Sequence, residues 1–461
     1  MSIGIVSTTL HVSPQEGFPL NKEYLQGRDT LRAAIGIGIV LIVLAIPGVP
    51  IVALIGLSVW AFLGVRQAIQ AITLLMLIKI LNSAVYGVAG ISALWMWLAL
   101  FVIATRIYFY AFLSQQLRHP VLPGLLIFST FVLFQSVYFS VYPQVSEFKL
   151  LSFFYIALAI LLAFRLTSRL SIDWTPWFVG MWIAVTVLSI PTLLVKEIGY
   201  FRDGLGFQGI LIHPQIFGLF LAPGLAWLIG RTMLQSQKTP KALFIIMALV
   251  FVFIFLTRAR TSVIAILAAF IVILLSAQNN PSWQKALIRR FVSPLVILLF
   301  LVISLSLFYT SISALITEFA MKNTDAKDIG FAFQGSRGFL IADSWKSFVN
   351  NPLFGIGFGV SLTNDFIPVL EPLTGLPLSA TTEKALLPAV ILEETGIFGA
   401  VFFMPLLFLL IRNGLSHREL AIPLMFLTCL MLNIGEMVFF SIGGMGLYIW
   451  LLIGWATSSL E

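Results

Sequence analysis

Apolar residues in this chain come in long runs separated by short polar breaks, and those runs decide what kind of molecule it is. Read between the breaks, they cover 33–46, 50–65, 68–81, 92–113, 121–141, 150–164, 174–195, 214–229, 242–256, 261–276, 291–309, 388–411, 420–437 and 439–457. A perpendicular crossing of a bilayer takes about 20 helical residues, so several runs are short for a span. None shows the period-two alternation of an outer-membrane barrel strand. In lipid each backbone group must be satisfied within its own segment, which makes the runs helices. The pattern predicts an all-α, polytopic transmembrane helical bundle of about 12–14 spans. The break at Pro47, Gly48, Val49 and Pro50 reads as a tight hairpin rather than a kink, because Arg32 and Arg66 flank the pair of runs with positive charge.

Composition points the same way. Hydrophobic residues make up 59% of the 461 and charged residues only 10%, with a mean hydropathy of +1.03, so the solvent for most of the surface is a lipid bilayer. The net charge of +8 does not indicate nucleic acid, because the cations stand singly between apolar runs rather than in a basic block. Cys429, the single cysteine, lies within an apolar run and reads as a small core residue, with no disulfide and no thiolate metal cluster. The first thirty residues lack the basic, apolar and small-residue order of a cleavable signal, leaving the first span as the insertion signal.

Cations also orient the bundle. With the N-terminus inside and spans alternating, 16 of the 27 Lys and Arg fall on the cytoplasmic side and 13 of the 19 Asp and Glu fall outside, as the positive-inside bias requires. Both termini are then cytoplasmic, and the longest polar segment is extracytoplasmic. The predicted organisation is a cytoplasmic segment 1–32, a first part of the bundle 33–310, one large extracytoplasmic loop 311–387, and a last part of the bundle 388–461. Within the loop, 339–349 has the pattern of an interfacial amphipathic helix, with Arg337, Ile341, Ser344, Trp345 and Phe348 on one face and Asp343, Lys346 and Ser347 away from it. It ends at Asn350, Asn351 and Pro352. The following run, with Gly355, Gly357 and Gly359, permits tight turns but lacks the strand, helix and downstream acid of a dinucleotide site.

Arg258 and Arg260 are cations on the outer side, against the charge bias. The plain reading is side chains reaching headgroups, which fits Arg258. The sharper one is that Arg260 and Arg337 together hold a pyrophosphate, since guanidinium groups bind phosphate oxygens bidentately and stay charged in a dry site. Glu393 and Glu394 fall roughly 8–9 Å into the span that starts at Pro388, and intramembrane carboxylates are rarely idle, so Glu394 is a candidate catalytic or arginine-pairing group. Glu436 lies near the outer end of its span. His213 precedes Pro214 at the outer start of another, where a lone histidine is either a structural group or a catalytic one. No metal-ligand spacing occurs among the outer carboxylates and histidine, and no cofactor is called for.

Four stretches carry a resemblance to the O-antigen ligase and polymerase superfamily of membrane glycosyltransferases: 209–218 with His213, Pro214 and Gln215; 257–262; 337–359 with Arg337, Trp345 and the turn from Asn351 to Gly357; and 392–399 with Glu394 and Gly396. They lie in the second half; the first half matches in hydropathy only. The stretch 257–262 departs at Ala259, where the family usually has serine, and keeps its arginine as Arg260. The resemblance implies about twelve helices with a large external loop, and metal-independent transfer of a glycan from an undecaprenyl-pyrophosphate carrier to an acceptor hydroxyl on a glycolipid or glycan in a bacterial inner membrane. Ligases of the family carry a histidine some nine residues before the glutamate of the Glu-x-Gly turn, and here that place holds Ala385. Beside it stand Glu383, the candidate base, and Lys384, a further phosphate contact. The plainer reading of these two is a solvated charge pair at a loop end. Repeat-unit polymerase is the alternative within the superfamily, and a secondary transporter is the alternative outside it.

Overall fold

The computed structural model describes residues 22–88, 92–201, 204, 206–234, 241–276, 283, 338–362, 368–370, 375, 377, 379–380, 384, 386–417 and 419–458. Its helices, in chain order, are α1 (Lys22–Val43), α2 (Val49–Trp60), α3 (Val65–Ile80), α4 (Ala93–Leu113), α5 (Leu122–Tyr138), α6 (Pro143–Arg169), α7 (Thr175–Ser189), α8 (Lys196–Gly199), α9 (Pro214–Leu234), α10 (Lys241–Leu256), α11 (Arg260–Ser276), α12 (Phe339–Asn350), α13 (Leu387–Gly414), α14 (Ala421–Leu432) and α15 (Met445–Thr457). The only extended pairing between named strands among the described residues is two residues long, Pro368–Val369 against Ser379–Ala380. The chain is an all-α membrane protein. Four of the described helices are long and apolar enough to cross a bilayer, Ala93–Leu113, Pro143–Arg169, Thr175–Leu193 and Leu387–Gly414, with shorter apolar helices around them. The predicted run 291–309 lies outside the described residues.

Proline and glycine punctuate the helices as their backbones dictate. The 47–50 break is a turn with Gly48 at φ 83°, and Pro50 sits in the first turn of α2, where its missing N–H leaves nothing unsatisfied. On either side of it, α1 packs against α7 and α2 against α3 and α4. The two runs predicted as 420–437 and 439–457 are cut shorter, because Asn433 turns the chain: its Oδ1 accepts from the N–H groups of Val438 and Phe439 at 3.1 and 2.8 Å. Residues 433–444 therefore form a loop rather than helix ends.

Helices meet where small residues let backbones close in, as expected where no hydrophobic gain separates helix contact from lipid contact. Gly180 of α7 meets Ala33 and Ala34 of α1, Gly230 of α9 meets Ala421 of α14, and Gly124 of α5 meets Pro405 and Leu406 of α13. One chain of buried polar groups ties three helices together: the Trp182 indole donates to the Tyr448 hydroxyl at 2.6 Å, which donates to the Phe220 carbonyl at 2.8 Å, linking α7, α15 and α9. Cys429 is free and buried, as expected of a core residue.

One end of the bundle gathers the loops that matter. There Asn82 N–H donates to Ile210 O, Phe207 to Leu256, Val141 to Ile356 and Leu387 to Asn433, each at 2.9–3.0 Å. These bonds bring together residues scattered from the end of α3 to the end of α14.

Candidate active site

The site is built around a broken helix. Inside α13 the chain runs helically through Glu394 and then breaks at Gly396, whose φ of 67° and ψ of −168° no helix permits. The break frees backbone groups, and the glycine-rich turn after α12 satisfies them. Ile356 and Gly357 donate to the carbonyls of Glu393 and Glu394 at 2.9 and 3.0 Å, and Ile397 and Phe398 donate to Pro352 and Leu353 at 2.9 and 3.2 Å. The Gln135 amide bridges the two strands of this crossing, donating to Phe354 O and Glu394 O at 3.0 Å each. Contact is so close that a Cβ at Gly355, itself at φ 71°, would stand 2.5 Å from the Glu394 carbonyl carbon, and one at Gly396 would overlap the Leu353 carbonyl. Two phenylalanines anchor the turn: Phe354 stacks on Phe139 with centroids 3.9 Å apart, and Phe358 is buried among Phe128, Phe153 and Phe440. The turn and the break are one unit, which is why both stretches stand out in the sequence.

That unit holds a buried charge cluster. Lys384 Nζ lies 2.8 Å from Glu394 Oε1 and 3.5 Å from Glu393 Oε2, and it also donates to the Val360 carbonyl. Lys149 of α6 reaches both oxygens of Glu394 at 3.4 Å and stands 4.7 Å over the Phe358 ring. Gly359 N–H donates to Glu394 Oε2 at 2.7 Å, and Ser344 of α12 donates to Glu393 Oε2 at 2.9 Å. The Glu394 and Glu393 side chains are 1% and 3% exposed. Burial of such charges is tolerable only because two cations face two anions and backbone and hydroxyl donors fill the remaining oxygens.

Beside the cluster opens a cavity of about 370 Å³, whose lining includes Lys79, Lys149 and Lys384. Its walls come from α3, α4 and α6 and its rim from 437–444. Glu393 and Glu394 lie behind the lysines and do not line it. In this arrangement Glu394, read from sequence as a candidate catalytic group, holds Lys149 and Lys384; its partners are lysines and a backbone N–H rather than an arginine.

The other sequence candidates fall as follows. Arg337 and Glu383 lie outside the described residues. Arg258 and Arg260 form the turn between α10 and α11, with Arg258 at φ 54° and Ala259 packed on Gly218 of α9. Neither lines the cavity. The 433–444 loop connects the two places, since Gly435 packs on Thr261 while Met437 and Phe440 line the cavity. His213 Nδ1 accepts from the Gln215 N–H at 3.2 Å, capping the start of α9, and its ring stands edge-on to Phe201 at 4.5 Å; this is a structural use of the nitrogen a base would need. At the opposite end, burial and then Arg165 push His119 down to about 3, and burial lowers His417.

On α12, Leu340, Ser344 and Ser347 are buried, whereas Trp345, on the face predicted to be interfacial, is 58% exposed and not covered by protein. The helix packs on α13 closely enough for Ser344 to reach Glu393. Lys79 and Lys149 are what the sequence reading missed. Their signal was available, since both are cations on the predicted outer side, the same departure from charge bias that marks Arg258 and Arg260.

Residues 245–404 match the family model described as O-antigen ligase, about a third of the chain. The matched segment takes in the 257–262 turn, α12, the glycine turn, Lys384, Glu393, Glu394 and the helix break, and it supports the O-antigen ligase superfamily and a membrane glycosyltransferase-like enzyme acting on lipid-linked glycans. A search of curated proteins gave no match.

Proposed function

We propose that this protein transfers a glycan from an undecaprenyl-pyrophosphate carrier to an acceptor hydroxyl, as an O-antigen ligase does, at the loop-rich end of its bundle on the extracytoplasmic face of a bacterial inner membrane, with both termini cytoplasmic. The observation that carries this reading is the lysine-lined cavity beside the buried Lys149, Lys384, Glu393 and Glu394 cluster, whose acidic half and Lys384 lie in the family-matched segment. Transfer forms a bond from the acceptor oxygen to the anomeric carbon as the bond from that carbon to the phosphate oxygen breaks. The acceptor proton passes to a base, and the pyrophosphate departs on its lipid. Charge grows on the leaving pyrophosphate, so preorganised cations at that position lower the barrier without a metal. Arg260 and Arg337 are the proposed pyrophosphate clamp, with Lys384 a further contact and Arg258 at the headgroup level. Glu383, adjacent to Lys384 in sequence, is the proposed base. Glu394 is a positioning residue that pairs with the two lysines and holds them in place.

Ligase and polymerase chemistry are the same and differ in the acceptor. Ala385 in the place of the ligase histidine favours keeping polymerase as the second reading. Mass spectrometry of lipid-linked glycans in a deletion strain tests both: accumulation reversed by wild type and not by Arg337→Ala supports transfer, with long chains indicating a ligase and single repeats a polymerase. An unchanged lipid-linked pool would refute it.

A further inference from the structure

A second polar cavity lies at the end of the bundle opposite the lysine cluster, and it continues into an apolar groove. The cavity, about 1170 Å³, is lined among others by Asp29, Arg32, Arg66, Asp173, Arg231 and Glu419. The groove, about 510 Å³, runs between α1, α2 and α3, and Arg32 is its single charged lining residue among those described. Arg32, Ala33 and Trp177 line both, so cavity and groove form one continuous surface. Arg66 stands in the first turn of α3 and Lys79 in its last, about 20 Å apart at 1.5 Å per residue. This surface is therefore remote from the cavity proposed for transfer.

Each part has its own chemistry. Among the described residues, three guanidinium groups and three carboxylates line the polar cavity, for a net charge of zero. The Arg32–Asp29 and Arg231–Glu419 pairs are long, at 3.3 Å, and wet, so a ligand that exchanges with them gives up little. Arg66 is exposed and makes no ion pair among the described residues. A ligand of one sign leaves half of these groups unanswered, whereas a zwitterion answers both. In the groove, a Cβ at Gly36 or Gly56 would meet nothing within 4 Å, unlike one at Gly180, which would meet the α1 backbone. These two glycines widen a groove rather than close a helix contact. From Arg32 to Leu44 the groove follows α1 for about 18 Å, close to the roughly 15 Å that one leaflet contributes to the hydrocarbon core.

We infer that this surface binds a zwitterionic membrane phospholipid with a primary ammonium head. The phosphate lies against Arg32 and Arg66, the ammonium among Asp29, Asp173 and Glu419, and one acyl chain in the groove past Gly36 and Gly56. Because the lining comes from α1, α3, α7, α9 and α14, the bound lipid ties five helices together at one end, and its role is structural.

The full chain in a neutral detergent would be titrated with dioleoyl phosphatidylethanolamine, phosphatidylglycerol and phosphatidylcholine, read by native mass spectrometry and thermal unfolding. Phosphatidylethanolamine is expected to bind about tenfold more tightly than the other two, and the unfolding midpoint to rise as it binds. Arg66→Gln and Gly36→Leu should each weaken that binding about tenfold or more. Gly36→Leu fills open space and should keep the wild-type midpoint in the absence of lipid. Glu419→Gln, which leaves the cavity with an excess cation, should move the preference towards phosphatidylglycerol. Equal binding of all three lipids, a wild-type preference for phosphatidylglycerol, or phosphatidylethanolamine binding undiminished in both Arg66→Gln and Gly36→Leu would overturn the inference. So would a lipid-free dimer that Gly36→Leu dissolves, which would give the groove to a second copy of this chain.

Discussion

The two ends of the bundle pair charges in opposite ways. At one end Arg32 meets Asp29 and Arg231 meets Glu419, both at 3.3 Å, with Glu419 63% exposed and Arg32 68%. At the other, Lys384 meets Glu394 at 2.8 Å, with side chains 9% and 1% exposed. Wet pairs of the first kind contribute little, because water screens them and two long side chains lose freedom in making them. A buried cluster carries a desolvation cost that an apolar replacement would avoid, so its presence is not explained by stability. The exposed end has a cavity of its own, lined among others by Asp29, Arg32, Arg231 and Glu419; what the buried end adds to its charges is a strained crossing at Gly355 and Gly396. The contrast therefore separates charges that water accommodates from charges that the fold itself must hold.

The largest effect is expected on transfer itself. Arg260→Ala, Arg337→Ala and Lys384→Met should each lower the rate by about 10²–10³ or more, read as product formed per unit of inserted protein, whereas Glu419→Gln should leave it unchanged. Wild-type rates in both arginine variants would remove the clamp.

Stability comes next and has a sharper form. Glu394→Ala leaves two buried lysines short of a carboxylate and should lower stability by about 3–5 kcal/mol in thermal or denaturant unfolding. The pair Lys149→Met with Glu394→Gln removes one charge of each sign and should recover part of that loss without recovering transfer. Full recovery of both would mean the cluster serves folding alone.

Backbone strain ranks below this. Gly396→Ala forces a left-handed residue against the Leu353 carbonyl and should destabilise by about 1–3 kcal/mol. Gly48→Ala, at φ 83° but with open space around it, should cost about 1–2 kcal/mol, less than Gly396→Ala, which adds a clash. Equal losses at the two sites would show that the crossing is not tightly packed. The smallest effect belongs to the exposed pairs: Glu419→Gln and Asp29→Asn should each shift stability by less than about 1 kcal/mol.

These differences track what a sequence can display. Hydropathy shows runs, so the apolar helices, the 47–50 turn and the place of Glu393 and Glu394 inside the first turns of α13 were legible. It shows length and not φ, so α13 read as one continuous span although Gly396 breaks it. The turn from Asn351 to Gly359 stood out by its glycines, but their purpose, close approach to the Glu394 backbone, needs the partner in view. The Lys149 and Glu394 contact joins residues 245 positions apart, and nothing local encodes it. Helical periodicity groups Ser344 with Trp345 on one face of α12 and does not show that Ser344 is the one that meets α13. Arg337 and Glu383 rest on sequence pattern alone, since both fall outside the described residues.

The most direct test is reconstituted transfer. Wild-type and Lys384→Met proteins in liposomes would be given an undecaprenyl-pyrophosphate-linked glycan with a labelled sugar, and labelled acceptor and released undecaprenyl pyrophosphate would be followed together. Matching yields of both products from wild type, and neither from Lys384→Met at equal insertion, is the result predicted here. Equal product from the two proteins, or no product from wild type with acceptor present, would contradict it.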